Sequence, residues 1–366
     1  MNKFKYYFVL LLAGIAIVSC NKSDDDVVVT PPRDYAEQYK ADNDSIVKYL
    51  KTHYIEDVNA DFDIKITKIP TGGTQTSVWD QTVYPLQSRD VYNRDVNYKV
   101  YFLTLTKGTG ESPCNTDRIL ASYTGTLLDG TVFDTSNGLG AAFNLYGGVI
   151  DGWSEIFPQF KTGTSTTDTN GVITNSGFGA GVMFLPSGLG YYNEVQSKIP
   201  AYSPLVFSFK LFQLSRVDSE YAISSGQRVV IGDGVPDYLE DLNKDGYLYD
   251  PQDKVRYPNL PANLIDDTDK DGIPDFLDLD DDGDGYTTRF EITKPKGEVG
   301  IVNGFDYGAR LYYPWDPILV DDPSTPNTDE REPRGIPAFS ADGNPDYTSP
   351  DRLRIHLDKL HYKAKP

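Results

Sequence analysis

Evenly spaced carboxylates are the residues of this 366-residue chain best suited to chemistry. Two stretches, beginning at Asp267 and Asp280, place oxygen-bearing groups at alternate positions and a glycine at the sixth position. The first set is Asp267, Asp269, Asp271, Ile273 (through its backbone carbonyl), Asp275 and Asp278; the second is Asp280, Asp282, Asp284, Tyr286 (also backbone), Thr288 and Glu291. Flexible oxygen ligands in this order, with a glycine that permits a sharp turn, suit Ca²⁺ better than Mg²⁺. The spacing therefore predicts two calcium-binding loops.

A third, partial set of ligands precedes these two loops. Asp241, Asn243 and Asp245 stand at alternate positions with Gly246 after them, and shorter fragments occur in "DGVPDY" and "DGNPDY". The ligand order is that of EF-hand loops, and "DGIPDF" resembles thrombospondin type 3 repeats, in which ions staple loops that lack full flanking helices. We expect structural calcium without a catalytic role. The alternative is an acidic linker that remains solvated.

The acidic charge is concentrated in this part of the chain. Residues 233–291 hold 18 acidic and 5 basic side chains, so about −13 of the formal net charge of −20 lies in this segment. The like charges of such a segment should repel one another unless cations neutralise them. The sharp change in composition at the start of the acidic segment predicts a domain boundary near residues 217–227. The overall acidity argues against nucleic acid as a partner.

A second group of residues with chemical potential lies in "YTGTLLDGTVFDTS", residues 123–136. Asp129-Gly130 between two apolar runs predicts a β-hairpin with a two-residue turn. In that register Gly125 pairs with Asp134, so Tyr123 and Asp134 share one face of the hairpin with a gap between them. An aromatic ring beside a carboxylate above a gap is typical of a pocket wall.

Three further motifs accompany this hairpin in the chain. "LTKGTGESP" precedes it, and "GVIDGW" and "IPAYSPLVFSFKL" follow it. With these motifs, residues 97–217 resemble an FKBP-type peptidyl-prolyl isomerase domain. The resemblance implies an α+β fold, in which a curved antiparallel sheet wraps around one short helix and a pocket lies between them.

The resemblance also implies which residues line that pocket. They are Tyr123, Phe133, Asp134, Phe143, Val149, Ile150, Trp153, Tyr191, Ile199 and Phe207. Trp153 would form the floor, the Ile150 backbone N–H and the Tyr191 hydroxyl would hold substrate carbonyls, and Asp134 would polarise the site. The implied activity is cis-trans isomerisation of X-Pro bonds in exported polypeptides, with no cofactor for catalysis.

The sequence departs from the family pattern at several positions. Residues 162–181 make the link after the helix longer than usual, and Pro186-Ser187 stands where two prolines are common. Tyr192 occupies a position at which glycine usually follows the tyrosine, and Leu139 stands where some relatives place an arginine that would pair with Asp134. These departures bear on the level of activity more than on the fold.

The N-terminus predicts export and a lipid anchor. Lys3 and Lys5 precede a short apolar run, residues 8–18, which is typical of a signal peptide rather than a membrane-spanning helix. The run ends in "IVSC", which resembles the lipobox of bacterial lipoproteins, so we expect cleavage before Cys20 and lipidation of its thiol. The alternative is a plain secretory signal. A lipidated Cys20 would leave Cys114 without a disulfide partner.

Six segments follow from these patterns: a signal peptide (1–20), a polar tether (21–33), an N-terminal helix with strands (34–96), the FKBP-like domain (97–217), a calcium-repeat module (228–291) and a C-terminal region without an assigned role (292–366). We expect a monomeric lipoprotein of the outer membrane or cell surface that assists the folding of exported proteins. The alternative is a non-catalytic surface protein that uses the pocket and the calcium module to bind a partner or a polysaccharide.

Overall fold

A seven-stranded antiparallel sheet forms the centre of the structure, a computed structural model that describes residues 31–360. In chain order the helices and strands are α1 (Tyr35–Thr52), β1 (His53–Val58), β2 (Ile64–Lys68), β3 (Leu86–Asn93), β4 (Val96–Thr106), β5 (Arg118–Leu127), β6 (Val132–Thr135), β7 (Ala141–Asn144), α2 (Asp151–Ile156), β8 (Thr164–Thr167), β9 (Ile173–Ser176), β10 (Gly179–Leu185), β11 (Leu205–Ser215), β12 (Tyr221–Ser224), β13 (Gln227–Val230), α3 (Thr288–Glu291), β14 (Ile301–Val302), β15 (Phe305–Asp306), β16 (Ala338–Phe339) and β17 (Pro345–Asp346). Strand order in the large sheet is β3-β4-β10-β11-β5-β6, and β7 also pairs with β5.

One face of the large sheet packs on α2 and on the turn that follows it. Phe157 and Phe160 both lie against Phe209 of β11, with ring centroids 4.7 and 4.8 Å apart. Trp153 and Phe207 belong to the same buried cluster. The predicted α+β arrangement of an antiparallel sheet around one short helix is therefore present, and the aromatic residues form its core.

The opposite face of the sheet is covered by α1. Asp34 caps this helix, because its Oδ1 accepts hydrogen bonds from the backbone N–H groups of Ala36 and Glu37 at 2.9 and 3.0 Å. Ile46 and Leu50 face inward and pack with residues of β4, β10 and β11. Strand β10 is buried along its whole length because both faces of the sheet are covered here.

The large sheet begins earlier in the chain than the predicted domain. β3 pairs with β4 from Leu86↔Leu103 to Asn93↔Val96, and the two strands are joined by Arg94 and Asp95, both with positive φ. Two adjacent residues with positive φ are typical of the tight turns that match strand twist. A division at residue 97 would cut this hairpin, because the pattern of residues 34–96 gave no sign of which strand β3 would pair with.

The insertion at residues 162–181 is ordered rather than irregular. Strands β8 and β9 form a hairpin within it, with register from Thr164↔Ser176 to Thr167↔Ile173. The base of the hairpin is held to the sheet, since Gly163 N–H donates to the Phe212 carbonyl at 3.1 Å.

The C-terminal region has little regular structure and packs directly on the sheet. Besides α3 and three short hairpins it contains four single 3₁₀ turns among the described residues: Asp237–Leu239, Ala262–Leu264, Asp275–Leu277 and Ile355–Leu357. Asn115 and Leu248 exchange two hydrogen bonds of 2.8 Å through the Asn115 amide and the Leu248 backbone. Within the described part of the chain, residues 34–360 belong to one compact unit.

Predictions for the N-terminus fall outside the described residues. The signal peptide, Cys20 and nearly all of the tether lie within residues 1–30, and the last six residues are also outside. Among residues 31–360, every helix is too short or too polar to cross a membrane.

Candidate functional site

The hairpin formed by β5 and β6 builds one wall of a cavity. Its turn and a bulge each change the strand register by one residue, in opposite directions. Leu127 N–H donates to the Thr131 carbonyl at 3.0 Å and Gly130 has φ +87°, so the turn has three residues rather than the predicted two. This change shifts the register by one residue. A bulge between Thr126 and Gly125 shifts it back, and Gly125 pairs with Asp134 as predicted.

The bulge determines where Phe133 lies. Strict alternation would place this ring on the face opposite Tyr123, but as the extra residue of the bulge it turns toward the cavity. A Cβ atom added at Gly125 would lie 2.4 Å from the Phe133 ring and 2.9 Å from Phe207. The predicted gap above Gly125 is therefore filled by these two rings, and only glycine leaves room for them.

All ten predicted pocket residues line a single cavity of ≈ 330 Å³. Four further residues complete its lining: Gly148, Gln196, Ser197 and Lys198. Small-ligand sites have volumes of about 300–1,000 Å³, so this cavity has the size of a site for one side chain or ring. Sequence reasoning missed the Gln196–Lys198 rim because its exposed polar residues look like any surface turn.

Trp153 forms the floor of the cavity. Its ring lies edge-on to Tyr123, Phe143 and Phe207, with ring centroids 5.0, 5.1 and 5.3 Å away. Such edge-to-face contacts are favourable and fix the orientation of each ring. Among the described residues, the Trp153 indole N–H has no hydrogen-bond acceptor. The floor is therefore a rigid aromatic surface that carries one unused donor.

Helix α2 holds Trp153 through its neighbours on both sides. Asp151 forms ion pairs with Arg94 at 3.0 Å and with Arg256 at 3.2 Å. Glu155, which is fully buried, pairs with Arg89 at 3.0 Å. Arg89 and Arg94 belong to the sheet domain and Arg256 to the C-terminal region, so both parts of the chain support the floor.

A carboxylate and a hydroxyl meet at the rim. The Tyr123 hydroxyl donates a hydrogen bond of 2.5 Å to Asp134 Oδ2. Partial burial, this bond and the negative charge of Asp134 raise the pKa of Tyr123 above its ordinary value. Burial and the same charge also raise the pKa of Tyr191. Leu139 is exposed and does not line the cavity, so Tyr123 takes the place of an arginine partner.

The late loop that carries Tyr191 is held by helix α1. Asp42 is buried and accepts hydrogen bonds from Ser187 N–H at 2.7 Å and from Ser187 Oγ at 2.6 Å. Tyr192 has φ +50°, a conformation that favours glycine, and its ring stacks on Tyr35 with centroids 3.9 Å apart. The stacking offsets part of the backbone strain and orients the adjacent Tyr191.

The predicted calcium loops share one local geometry. In each, the N–H of the sixth residue, a glycine, donates to the first aspartate: Gly246 to Asp241, Gly272 to Asp267 and Gly285 to Asp280, at 2.7, 3.0 and 2.9 Å. All three glycines have positive φ. The predicted turn residue is therefore needed where it stands.

Two of these loops bring three carboxylates together. Single oxygens of Asp267, Asp269 and Asp271 lie within 4.8 Å of one another, and so do those of Asp280, Asp282 and Asp284. These donor sets fit a hard cation with oxygen ligands. The later positions do not join them: Asp275 accepts hydrogen bonds from Thr268 N–H at 2.8 Å and Oγ1 at 2.7 Å. Asp278 accepts from its neighbours Leu279 and Asp280, and Glu291 is buried outside the second group.

Comparison with known proteins agrees with this site. Residues 109–212 match the family described as FKBP-type peptidyl-prolyl cis-trans isomerase, and residues 232–327 match a family described as BamM C-terminal. The second match crosses the predicted boundary at residue 291, and its description names no ion. The match to the FKBP-type family lies within residues 97–217, the part of the chain in which the motifs predicted it.

Relatives of the chain carry corresponding names. It is 34% identical over 116 residues to the FKBP-type 22 kDa peptidyl-prolyl cis-trans isomerase of Escherichia coli (strain K12), covering 31% of this chain and 48% of that protein. It is 36% identical over 111 residues to the FKBP-type peptidyl-prolyl cis-trans isomerase FkpA of Aeromonas hydrophila, covering 30% of this chain and 35% of that protein. The crystal structure of FkpA from Escherichia coli matches at 30% identity and TM-score 0.27, and the match covers 32% of this chain and 48% of the FkpA chain. The chain thus spans about half or less of these relatives.

Proposed function

We propose that the FKBP-type domain catalyses cis-trans isomerisation of X-Pro bonds in exported polypeptides. The observation that carries this proposal is the ≈ 330 Å³ cavity with the Trp153 ring as its floor and the Tyr123–Asp134 pair at its rim. A prolyl ring is compact and apolar, and a cavity enclosed by aromatic rings suits it. The peptide on either side of the proline would run along the polar rim.

Rotation about the X-Pro bond is slow because the amide loses its resonance in the twisted state. The barrier is about 18–20 kcal/mol, and the uncatalysed exchange takes tens to hundreds of seconds. A site that binds the twisted amide more tightly than the planar one lowers this barrier. An apolar cavity favours the twisted form, whose carbonyl is less polar, over the planar form.

Individual residues would contribute in different ways. Trp153, Phe143 and Phe207 would enclose the prolyl ring, while the Ile150 N–H and the Tyr191 hydroxyl would hold substrate carbonyls. The Tyr191 hydroxyl is protonated at neutral pH, as this role requires, because the ordinary pKa of tyrosine is about 10 and burial raises the pKa of Tyr191 further. Asp134, held in place by Tyr123, would polarise the site near the rotating bond.

Exchange of an X-Pro peptide in the presence of the purified chain tests the proposal. The wild-type protein should accelerate exchange over the uncatalysed rate, and Trp153→Leu combined with Phe207→Ala should remove most of that acceleration. Trp79→Leu is the matched control, because Trp79 packs on the other face of the sheet. NMR exchange spectroscopy avoids any coupled protease. Wild-type protein that binds the peptide without accelerating exchange would favour the non-catalytic binding protein instead.

We propose in addition that Cys20 carries a lipid that anchors the chain outside the cytoplasm, where it acts as a monomer. The lipobox-like "IVSC" supports this anchor. Cys20→Ser should move the protein from the membrane fraction to the soluble fraction without loss of isomerase activity. A variant that stays with the membrane after detergent-free washing would contradict the anchor.

We propose structural calcium for the C-terminal region. The carboxylate groups of the Asp267 and Asp280 loops support two ions, and the similar turn of Asp241, Asn243 and Asp245 supports a third. The third loop lies directly before Tyr247 and Leu248, which contact the sheet domain. Calcium there would order the residues that dock.

A further inference from the structure

A cluster of buried carboxylates lies outside the predicted loop ligands. Asp233, Glu240 and Asp281 each expose 2% or less of their surface, and one oxygen of each lies within 4.8 Å of the others. Glu220 is also buried and forms an overlapping group with Glu240. Asp233 was noted only as part of the short "DGVPDY" fragment, and Glu220, Glu240 and Asp281 were not predicted as metal ligands. Asp281 lies 41 residues after Glu240, and spacing along the chain does not predict a contact over that separation.

The oxygens of this cluster lack the partners that buried carboxylates normally have. Among the described residues, neither carboxylate oxygen of Glu240 or of Asp281 has a hydrogen-bond partner. One carboxylate oxygen of Asp233 and one of Glu220 also have no hydrogen-bond partner in this part of the chain. Buried polar groups are nearly always hydrogen-bonded. Asp237 shows the usual pattern close by: both of its oxygens accept bonds from Ser219, each at 2.8 Å.

Protein cations do not neutralise the cluster. The ion pairs of residues 31–360 include none with Glu220, Asp233, Glu240 or Asp281. The positive charge of Arg289 acts on Asp233, but the Arg289 guanidinium donates its hydrogen bond to the Gly232 carbonyl, at 3.1 Å. Buried charges are normally paired or bound to a metal ion.

We propose that Asp233, Glu240 and Asp281, with Glu220 at the edge, bind one Ca²⁺ ion separate from those of the loops. The oxygens without partners number six, two from Glu240, two from Asp281 and one each from Asp233 and Glu220. Six or more oxygens, some from two-oxygen carboxylates, are the set that Ca²⁺ takes, whereas Mg²⁺ usually keeps several waters.

The site joins three parts of the chain. Glu220 and Asp233 flank the β12–β13 hairpin, Glu240 follows the Asp237–Leu239 turn, and Asp281 stands between the loop residues Asp280 and Asp282. One ion would therefore link the segment directly after β11 to the second loop. Its role is to fasten the C-terminal region to the last strand of the sheet.

Calcium stoichiometry of the full purified chain tests the proposal, with bound calcium measured by elemental mass spectrometry after desalting. Glu240→Gln with Asp281→Asn should bind one ion fewer per chain than wild type. The matched control, Asp269→Asn with Asp271→Asn, removes two carboxylates from the first loop. Combining the two pairs should remove one ion more than the control alone. Equal stoichiometry in wild type and the Glu240/Asp281 variant would overturn the proposal, because it would mean that these carboxyls are protonated instead.

Wild-type crystals provide a second test that does not depend on a variant's folding. Crystals grown with calcium and soaked in Tb³⁺ should give an anomalous peak between Glu240 and Asp281, besides any peaks at the loops. Peaks at the loops alone would overturn the proposal, as would the absence of any peak. Isomerase activity enters neither test, so failure here leaves the proposed function unaffected.

Discussion

The interiors of the sheet domain and of the C-terminal region differ in their balance of apolar and acidic side chains. The core of the sheet domain contains Trp153, Phe157, Phe160 and Phe209, all nearly inaccessible to water. The C-terminal region has two small apolar clusters, of which the larger is centred on Val235, Ile292, Tyr313, Ile336 and Ile355. Around them it buries carboxylates. Burial of apolar rings stabilises the first region, whereas burial of carboxylates in the second is costly unless their charges are neutralised.

Magnitudes support this difference. Two unit charges 4.8 Å apart, the limit of separation within the acidic groups, repel by about 3–4 kcal/mol at an effective dielectric constant of about 20. Each group has three such pairs, and whole domains are stable by only about 5–15 kcal/mol. Repulsion of this size is comparable to the stability of a whole domain, so we expect it to matter far more for the C-terminal region than for the sheet.

Removal of calcium should give the largest effect and separate the two regions. We expect chelation to make residues 230–291 sensitive to protease, because binding free energy supplies the folding free energy of such modules. The sheet domain should stay resistant. Limited proteolysis with fragment masses measures both outcomes in one experiment.

Loop variants provide the control for this experiment. Asp271→Ala with Asp284→Ala should reproduce the effect of chelation even in calcium, whereas Asp168→Ala with Asp322→Ala removes two exposed aspartates outside the loops and should not. Identical cleavage with and without calcium would show that the acidic segment is a solvated linker.

Asn115→Ala should have an intermediate effect that depends on calcium. The substitution leaves the Leu248 backbone N–H and carbonyl without partners at the contact between the regions. The expected cost is about 1–3 kcal/mol in the free energy of unfolding with calcium. With chelator the cost should shrink, because the contact is already lost.

Urea titration of wild type and Asn115→Ala in both conditions measures this difference. Asn170→Ala, in the exposed turn of the insertion hairpin, is the matched control and should change little in either condition. A cost for Asn115→Ala that is the same with and without calcium would mean that docking does not depend on the ion.

Tyr35→Leu should have the smallest effect, and it should be independent of calcium. Loss of the stacked contact with Tyr192 removes about 0.5–1.5 kcal/mol from the stability of the sheet domain. Because Tyr191 lies next in the chain, KM for an X-Pro peptide should rise more than kcat falls. Tyr54→Leu, a tyrosine in β1 that does not line the cavity, is the control. Equal KM values in the two variants would show that the stacking does not position the loop.

The sequence predicted the pocket well because its residues lie in motifs with fixed local geometry. Tyr123, Trp153 and Phe207 each occupy a strand or helix whose type follows from its pattern, and all three line the cavity. The three-residue turn and the bulge at Phe133 could not be predicted. The turn shifts the strand register by one residue and the bulge shifts it back, so the alternation of side chains beyond the bulge is the same as for a two-residue turn.

For the acidic segment, the sequence predicted the local loop turns but not the contacts between loops. Asp267, Asp269 and Asp271 converge because they are close in sequence, whereas Asp275 turns back to Thr268 instead. In the cluster of Asp233, Glu240 and Asp281, the first two lie seven residues apart, but Asp281 comes from a distant segment. Spacing along the chain carries no information about such contacts.

Alkylation of the Cys114 thiol can measure how often the contact between the two regions opens. Its side chain is buried with Leu248, Phe276 and Leu277 of the C-terminal region, and burial raises the pKa of the thiol to about 12. Only the thiolate reacts rapidly with alkylating reagents. A thiol covered in this way is labelled only in the moments when the C-terminal region lifts away. The rate of labelling therefore reports how often such openings occur in the native protein, without unfolding of the sheet beneath.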